Sequence, residues 1–142
     1  MVANSNKTKV IQTAGLIVIK DNKLLLAYSN NKRAWYLPEG KVDTGETSLQ
    51  TLQREIWEEL TLKIEAEFLK YYCHITAPAY GETGTVIMEQ DCYLYELKED
   101  IVPRNEIGAV GFFGNDTYER EPAQVVGVLE TFKKLKSDGL LR

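Results

Sequence analysis

Residues 40–62 read GKVDTGETSLQTLQREIWEELTL. Leu49, Leu52, Ile56 and Leu60 recur at i, i+3, i+7 and i+11, a spacing that places them on one stripe of an α-helix and commits that face to a core. Pro38, Gly40 and Gly45 bracket a sharply turning segment in front of it, where glycine lets the backbone approach a ligand or present a carbonyl to a metal. Thr47 with Gln50 three residues on fits a capping box, so the helix is predicted to start near Ser48. At roughly 100° per residue, Glu55, Glu58 and Glu59 fall on an arc of about 100° beside the apolar stripe, with Arg54 on the other flank. Like charges at these spacings repel. A divalent cation resolves the conflict, because hard ions such as Mg²⁺ take oxygen ligands through a few carboxylates plus substrate phosphates. For an arbitrary E-x-x-E-E, a solvated acidic face is the commoner outcome. The glycine loop, and Glu46 just before a helix start that favours an anion, shift the balance to a cation site.

These residues resemble the Nudix box of the Nudix hydrolases. The matching positions are Gly40, Glu46, Arg54-Glu55-Ile56, Glu58-Glu59 and Leu62, at the box's spacing, and several fixed polar and glycine positions make the signal specific. Two positions depart from the pattern. Thr61 stands where the family has Gly, a place suited to a left-handed helix end where a β-branched residue costs roughly 1–2 kcal/mol. The usual Pro-Gly-Gly approach is Pro38-Glu39-Gly40 here, which brings an extra carboxylate.

The resemblance implies an α/β/α sandwich around a mixed sheet, with a layout that matches over nearly all of residues 8–136. It makes Glu55, Glu58 and Glu59 metal ligands, together with the Gly40 carbonyl or its neighbour, for one to three Mg²⁺ or Mn²⁺ ions. Arg54 would pair with Glu46 or Glu55. For the general base, some relatives use a box glutamate and others one on a downstream loop. Glu106 is the first candidate, six residues before Phe112 as in the related oxidised-dGTP sanitising enzymes. Glu82 is second and Glu89 third, and for each a solvated loop carboxylate is an equal alternative. The catalytic set is thus Glu46, Arg54, Glu55, Glu58, Glu59 and Glu106. Clustered carboxylates without metal should raise one another's pKa.

At 142 residues the chain amounts to one domain, residues 1–142, with a frayed polar tail over residues 1–7. The sequence offers no membrane span and no apolar leader segment, so the expected compartment is cytoplasmic. Cys73 and Cys92 are too few and too far apart for a CxxC zinc site and read as reduced core residues. A net charge of −4 argues against nucleic-acid polymers and anionic membranes as partners. It suits a polyphosphate only if a bound cation offsets it. The expected partner is a small nucleotide, with a homodimer left open.

Along the chain, residues 10–19 and 24–28 read as a hairpin and Trp35-Tyr36-Leu37 as a short strand leading to the glycine loop. Residues 64–75 read as one bent strand or a pair, 77–84 as a loop, 85–97 as a central strand, and 109–113 as a last strand. An amphipathic helix is expected over about 123–136. Trp35, Tyr36 and Tyr80 could stack a base, and Lys41, with Lys32 and Arg33, could meet phosphates. His74 reads as a strand histidine satisfied by a neighbour. By resemblance, Pro78 hints at ADP-ribose and Tyr80 at dinucleoside polyphosphates, so neither decides. The leading function is Mg²⁺-dependent hydrolysis of a phosphoanhydride in a nucleoside diphosphate linked to a moiety X. The substrate would be ADP-ribose, a dinucleoside polyphosphate or a normal or oxidised dNTP. The main alternative is a nucleotide sensor of the same fold without turnover. A third class, a diphosphate isomerase, would use a pocket cysteine such as Cys73 beside His74.

Overall fold

Strand β1 (Lys9–Ile17) and the short β2 (Ile19–Lys20) are separated by Val18 alone. The computed structural model describes residues 8–82 and 84–142, so the tail expected over residues 1–7 lies outside the described residues. β2 turns through Asp21 and Asn22 into β3 (Lys23–Ser29). Both turn residues have positive φ, 52° and 62°, as a two-residue hairpin with the right twist requires. Then come β4 (Ala34–Tyr36), β5 (Glu39–Lys41), α1 (Ser48–Leu60), a 3₁₀ turn at Ala66–Phe68, β6 (Lys70–Pro78) and β7 (Val86–Leu94). The chain closes with β8 (Ile107–Phe113), α2 (Asn115–Glu119) and α3 (Val126–Ser137).

The first sheet runs β5-β1-β7-β6 and is mixed: β1 lies parallel to β7 and antiparallel to β5, and β6 is antiparallel to β7. In the second sheet β3 pairs with β2, β4 and β8, all antiparallel. The expected hairpin therefore exists only at its tip, Ile19 opposite Leu24 and Lys20 opposite Lys23. β1 is taken instead by β7, in register from Lys9 opposite Val86 to Ile17 opposite Leu94. The chain changes sheets at Val18, whose carbonyl accepts from the Leu25 N–H at 2.9 Å.

Two cores flank the first sheet. On one side Ala14, Leu16 and Tyr93 meet Leu52, Ile56 and Leu60 of α1, with Leu62, Ile64 and Leu69 beneath them. On the other side Ile17, Cys73, Ile75, Met88 and Cys92 meet Val128, Phe132 and Leu135 of α3. Helices thus cover both faces of a mixed sheet, the α/β/α arrangement expected.

Several boundaries differ from expectation: β6 runs on to Pro78, into the expected 77–84 loop, and the central strand expected to reach residue 97 stops at Leu94. Residues 64–69 form no strand, because Leu62, Ile64 and Leu69 are buried one by one under α1, and the strand starts at Lys70. The last strand begins at Ile107, two residues early, and the last helix at Val126, with Val125 as its N-cap. α2 was not foreseen. Its Tyr118 is fully buried, donates to the Trp35 carbonyl at 3.0 Å and accepts from the Val125 N–H at 2.8 Å. Among the described residues no helix is long and apolar enough to cross a membrane.

Candidate active site

The start of α1 is fixed as the sequence predicts: Thr47 Oγ1 accepts from the Gln50 N–H at 3.1 Å, and Gln50 Oε1 accepts from the Thr47 N–H at 3.0 Å. Its end is held by another segment. The Val102 N–H donates to the Leu60 carbonyl and the Arg104 N–H to the Glu59 carbonyl. The side chains of Asn105 and Arg104 take the carbonyls of Glu58 and Trp57. A helix leaves its last carbonyls without intrahelical donors. Residues 102–105 supply them, and in doing so deliver Glu106 to the site.

Thr61 is left-handed, φ 59° and ψ 35°, the conformation its position demands of the chain. Its Oγ1 donates to the Val102 carbonyl at 2.7 Å, a bond glycine could not make, which offsets part of the strain.

Between the two sheets lies a cavity of about 380 Å³. Its lining includes Glu39, Gly40, Lys41, Glu55 and Glu59, the aromatic and basic side chains Tyr36, Tyr80 and Lys32 with Pro78, and Ser29, Glu106 and Ile107. Gly40 packs so closely on α1 that a Cβ there would lie 2.0 Å from Glu55 Cγ. Only glycine allows that approach.

Arg54 divides the carboxylates of α1. Its Nε and Nη2 donate to Glu46 at 2.8 and 2.9 Å, and Nη1 reaches Glu55 at 3.3 Å and Glu58 at 3.2 Å. This fork pulls Glu46 down to about 2, helped by the Thr51 hydroxyl at 2.8 Å. The expected triad is therefore half built. Glu55 and Glu59 line the cavity, whereas Glu58 turns to Arg54 and does not. Among the described residues no three Asp, Glu, His or Cys side chains enclose an ion position as they lie.

Inside the cavity the electrostatics reverse. Burial, reinforced by Glu55, Glu106 and Glu39, pushes Glu59 up to about 8. Burial pushes Glu55 to about 7 against the pull of Arg54, and Glu39 to about 7 against a bond from Gln90 Nε2 at 2.8 Å. Carboxylates that repel one another in a desolvated wall, beside the backbone of Gly40, are a donor set of hard oxygens. The residues present fit a divalent ion.

The other candidates separate clearly. Glu106 is in the cavity and accepts from Ser29 Oγ at 2.6 Å. Glu82 also lines it but is tied to Lys32 Nζ at 2.6 Å, which holds it below the usual carboxylate value. Glu89 is outside, bonded to His74 and Thr76 on the α1-side face of the sheet. His74 is satisfied by Glu89 and Asp91, as expected. Tyr36, Lys41 and Tyr80 line the cavity, whereas Trp35 and Arg33 do not. Trp35 packs instead against Tyr28 and Phe113. Cys73 faces the α3 core and neither it nor His74 lines the cavity, so the isomerase reading loses its pocket cysteine. Gln90 and Ser29 were missed. A buried glutamine in an otherwise apolar strand face was the available signal for the first.

The model of the NUDIX domain matches residues 10–130. The chain belongs to the Nudix family. An RNA pyrophosphohydrolase of Francisella tularensis subsp. mediasiatica (strain FSC147) is 26% identical over 96 residues, covering 68% of this chain and 52% of that protein. The chain spans about half the length of the curated relatives it matches. Among solved structures, the MutT protein of Methanosarcina mazei Go1 superposes with a TM-score of 0.71 at 15% identity, covering 94% of this chain and 97% of that one. A bifunctional NMN adenylyltransferase/ADP ribose pyrophosphatase of Francisella tularensis, complexed with AMP and a Mn ion, gives 0.68 at 17% identity, covering 96% and 44%. At these identities the structural likenesses concern the Nudix fold alone.

Proposed function

We propose that this Nudix chain is a divalent-cation-dependent pyrophosphohydrolase. It cleaves a phosphoanhydride in a nucleoside diphosphate linked to a further moiety, releasing a nucleoside monophosphate and X-phosphate, or pyrophosphate where X is phosphate. The observation that carries this reading is that the desolvated carboxylates Glu39, Glu55 and Glu59 share one cavity with Glu106. Glu55 and Glu59, with the Gly40 carbonyl, would hold Mg²⁺ or Mn²⁺; when bound, the ion would neutralise the diphosphate and acidify the attacking water.

Glu106 is the base of this reading. Ser29 Oγ occupies one of its oxygens, which fixes the carboxylate and leaves the other oxygen to take the proton of the attacking water. Arg54 positions Glu55 and, through Glu46, the loop that carries Gly40. Lys41 and Lys32 sit at the rim for phosphates, and Tyr36 and Tyr80 can border a nucleobase. The RNA pyrophosphohydrolase name of the curated relative adds 5′-triphosphate ends to the substrates to be tested.

The test is a panel of ADP-ribose, dinucleoside polyphosphates, normal and oxidised dNTPs, nucleotide sugars and 5′-triphosphorylated RNA, incubated with Mg²⁺ and resolved by product. Mg²⁺-dependent release of a nucleoside monophosphate from at least one of them is the expected result. Tight nucleotide binding with no product from any would leave the sensor reading in its place.

A further inference from the structure

We propose that Cys73 and Cys92 form a peroxide-responsive dithiol that closes to a disulfide across β6 and β7 and releases Gln90 from its contact with Cys92. The two are the free cysteines of the chain, and they stand directly opposite in the antiparallel β6–β7 register. Opposed residues on such strands have Cα atoms about 4.5–5.5 Å apart, within the roughly 4.4–6.8 Å that a disulfide spans. Both side chains belong to the same core, under α3. The register slips between Tyr71 and Cys73, so the backbone beside the pair is already irregular and can adjust to a cross-link.

The two thiols differ in a way that orders the chemistry. Cys73 keeps 7% of its surface exposed, whereas Cys92 has none. Cys73 is held below the ordinary thiol value, first by the Cys92 thiol beside it and also by Lys134, while Cys92 is pushed up by the same pairing and by burial. Thiolate character and access favour Cys73 as the attacking sulfur. Its thiolate attacks one oxygen of hydrogen peroxide and the O–O bond breaks. Cys73 becomes a sulfenic acid, and the hydroxide released takes a proton to leave as water. The Cys92 sulfur then attacks the Cys73 sulfur: the S–S bond forms, the S–O bond breaks, and the hydroxyl departs with the Cys92 proton as a second water. Two electrons pass from the sulfurs to the peroxide.

The consequence reaches the cavity through Gln90, which is 1% exposed. The Cys92 sulfur lies 3.8 Å from Gln90 Oε1 and 3.9 Å from the Gln90 carbonyl, so its one S–H is shared among these and Cys73, and Gln90 Nε2 donates to Glu39 at 2.8 Å. Gly15 leaves the room this requires, since a Cβ there would lie 2.9 Å from the Gln90 carboxamide carbon. A disulfide has no proton to donate. Oxidation therefore removes the thiol proton that Gln90 Oε1 shares, and a buried acceptor so deprived reorients or destabilises its surroundings. Glu39, and with it the edge of the Gly40 strand, loses its fixed position. This last link rests on the proposed function; the disulfide itself does not.

The experiment treats the full chain with hydrogen peroxide, blocks remaining thiols with an alkylating agent, and reads intact mass and peptide linkage. The expected product is lighter by two hydrogens, joins the Cys73 and Cys92 peptides within one chain, reverts with dithiothreitol, and is absent in Cys73→Ser. Over-oxidation of Cys73 with Cys92 still free, linkage only between chains, or reaction only after denaturation would overturn the proposal. Where the substrate panel gives turnover, the oxidised protein should lose at least about twofold in kcat/KM and recover on reduction, while Cys73→Ser keeps its rate under peroxide. A disulfide with unchanged turnover would overturn the relay through Gln90 to Glu39. Should no panel substrate be cleaved, the mass measurement still decides the dithiol.

Discussion

On the two flanks of α1 the same residue type stands in opposite states. On the outer flank Glu46 faces the Arg54 guanidinium and is held near 2. On the inner flank Glu59 faces burial and four other carboxylates and rises to about 8. The contrast separates structure from chemistry within one motif. A carboxylate paired with a fork of N–H donors has its charge answered by the protein itself and serves as a strut. One that faces only its own kind keeps its charge unanswered by the protein, and under the proposed function an external cation would answer it.

The sharpest way to break this comparison is Glu59→Gln. The proposed function predicts a loss of about three orders of magnitude in kcat, since this change removes charge that acts on the transition state. Melting temperature should hold or rise, because the lost charge was repelled. Full Mg²⁺-dependent turnover in this variant would return Glu59 to the class of struts. Glu106→Gln should cost a factor of about 10² to 10⁴ in kcat. A kcat within about threefold of wild type, measured across pH, would remove Glu106 as base.

The flanks also predict opposite pH dependences of stability. Glu55 and Glu59 have folded values raised above the ordinary 4.5, to about 7 and about 8. The folded state therefore holds more protons than the unfolded one between those limits, and stability present below 4.5 is lost as pH climbs through about 8. In chelator, melting temperature should fall over that range, and Mg²⁺ should flatten the curve by favouring the ionised form. Glu46 has the reverse sign: its contribution is present above 4.5 and disappears only as pH drops toward about 2. A metal-free melting curve that rises between pH 5 and 8 would contradict the inner-flank assignment. The smallest expected effect is at Thr61. Thr61→Gly relieves left-handed strain but loses the bond to Val102, for a net change within about 1 kcal/mol. Thr61→Val keeps the strain and loses the bond, and should cost about 1–2 kcal/mol in denaturant titrations.

Local signals were legible where the chemistry is local. The capping box of Thr47 and Gln50, the Leu52-Ile56-Leu60 stripe and the Asp21-Asn22 turn all behave as their spacing dictates. What could not be read depends on distant partners. Nothing within residues 10–28 says that β1 will choose β7 over its neighbour. The burial of Ile64 and Leu69 without a strand follows from where α1 lies. Trp35 looked available for a base because short-range patterns do not reveal Phe113 or Tyr118. Glu58 looked equivalent to Glu55 and Glu59, but the i,i+4 reach of Arg54 claims it. Glu106 was singled out by its spacing to Phe112, yet the reason it reaches the cavity that Glu59 lines is the capping of the helix end by residues 102–105.

The single-residue joint at Val18 has a consequence for how the molecule can move. The cavity is walled by Ile11, Thr13 and Met88 from one sheet and by Ala27, Ser29 and Tyr36 from the other. The two sheets meet in one uninterrupted run of backbone whose connecting residue is 1% exposed and hydrogen-bonded to β3. Such a jaw has almost no free travel. Under the proposed function it would grip by being built to size, leaving any adaptation to ligands of different bulk to the turns around Lys32 and Tyr80 rather than to the sheets.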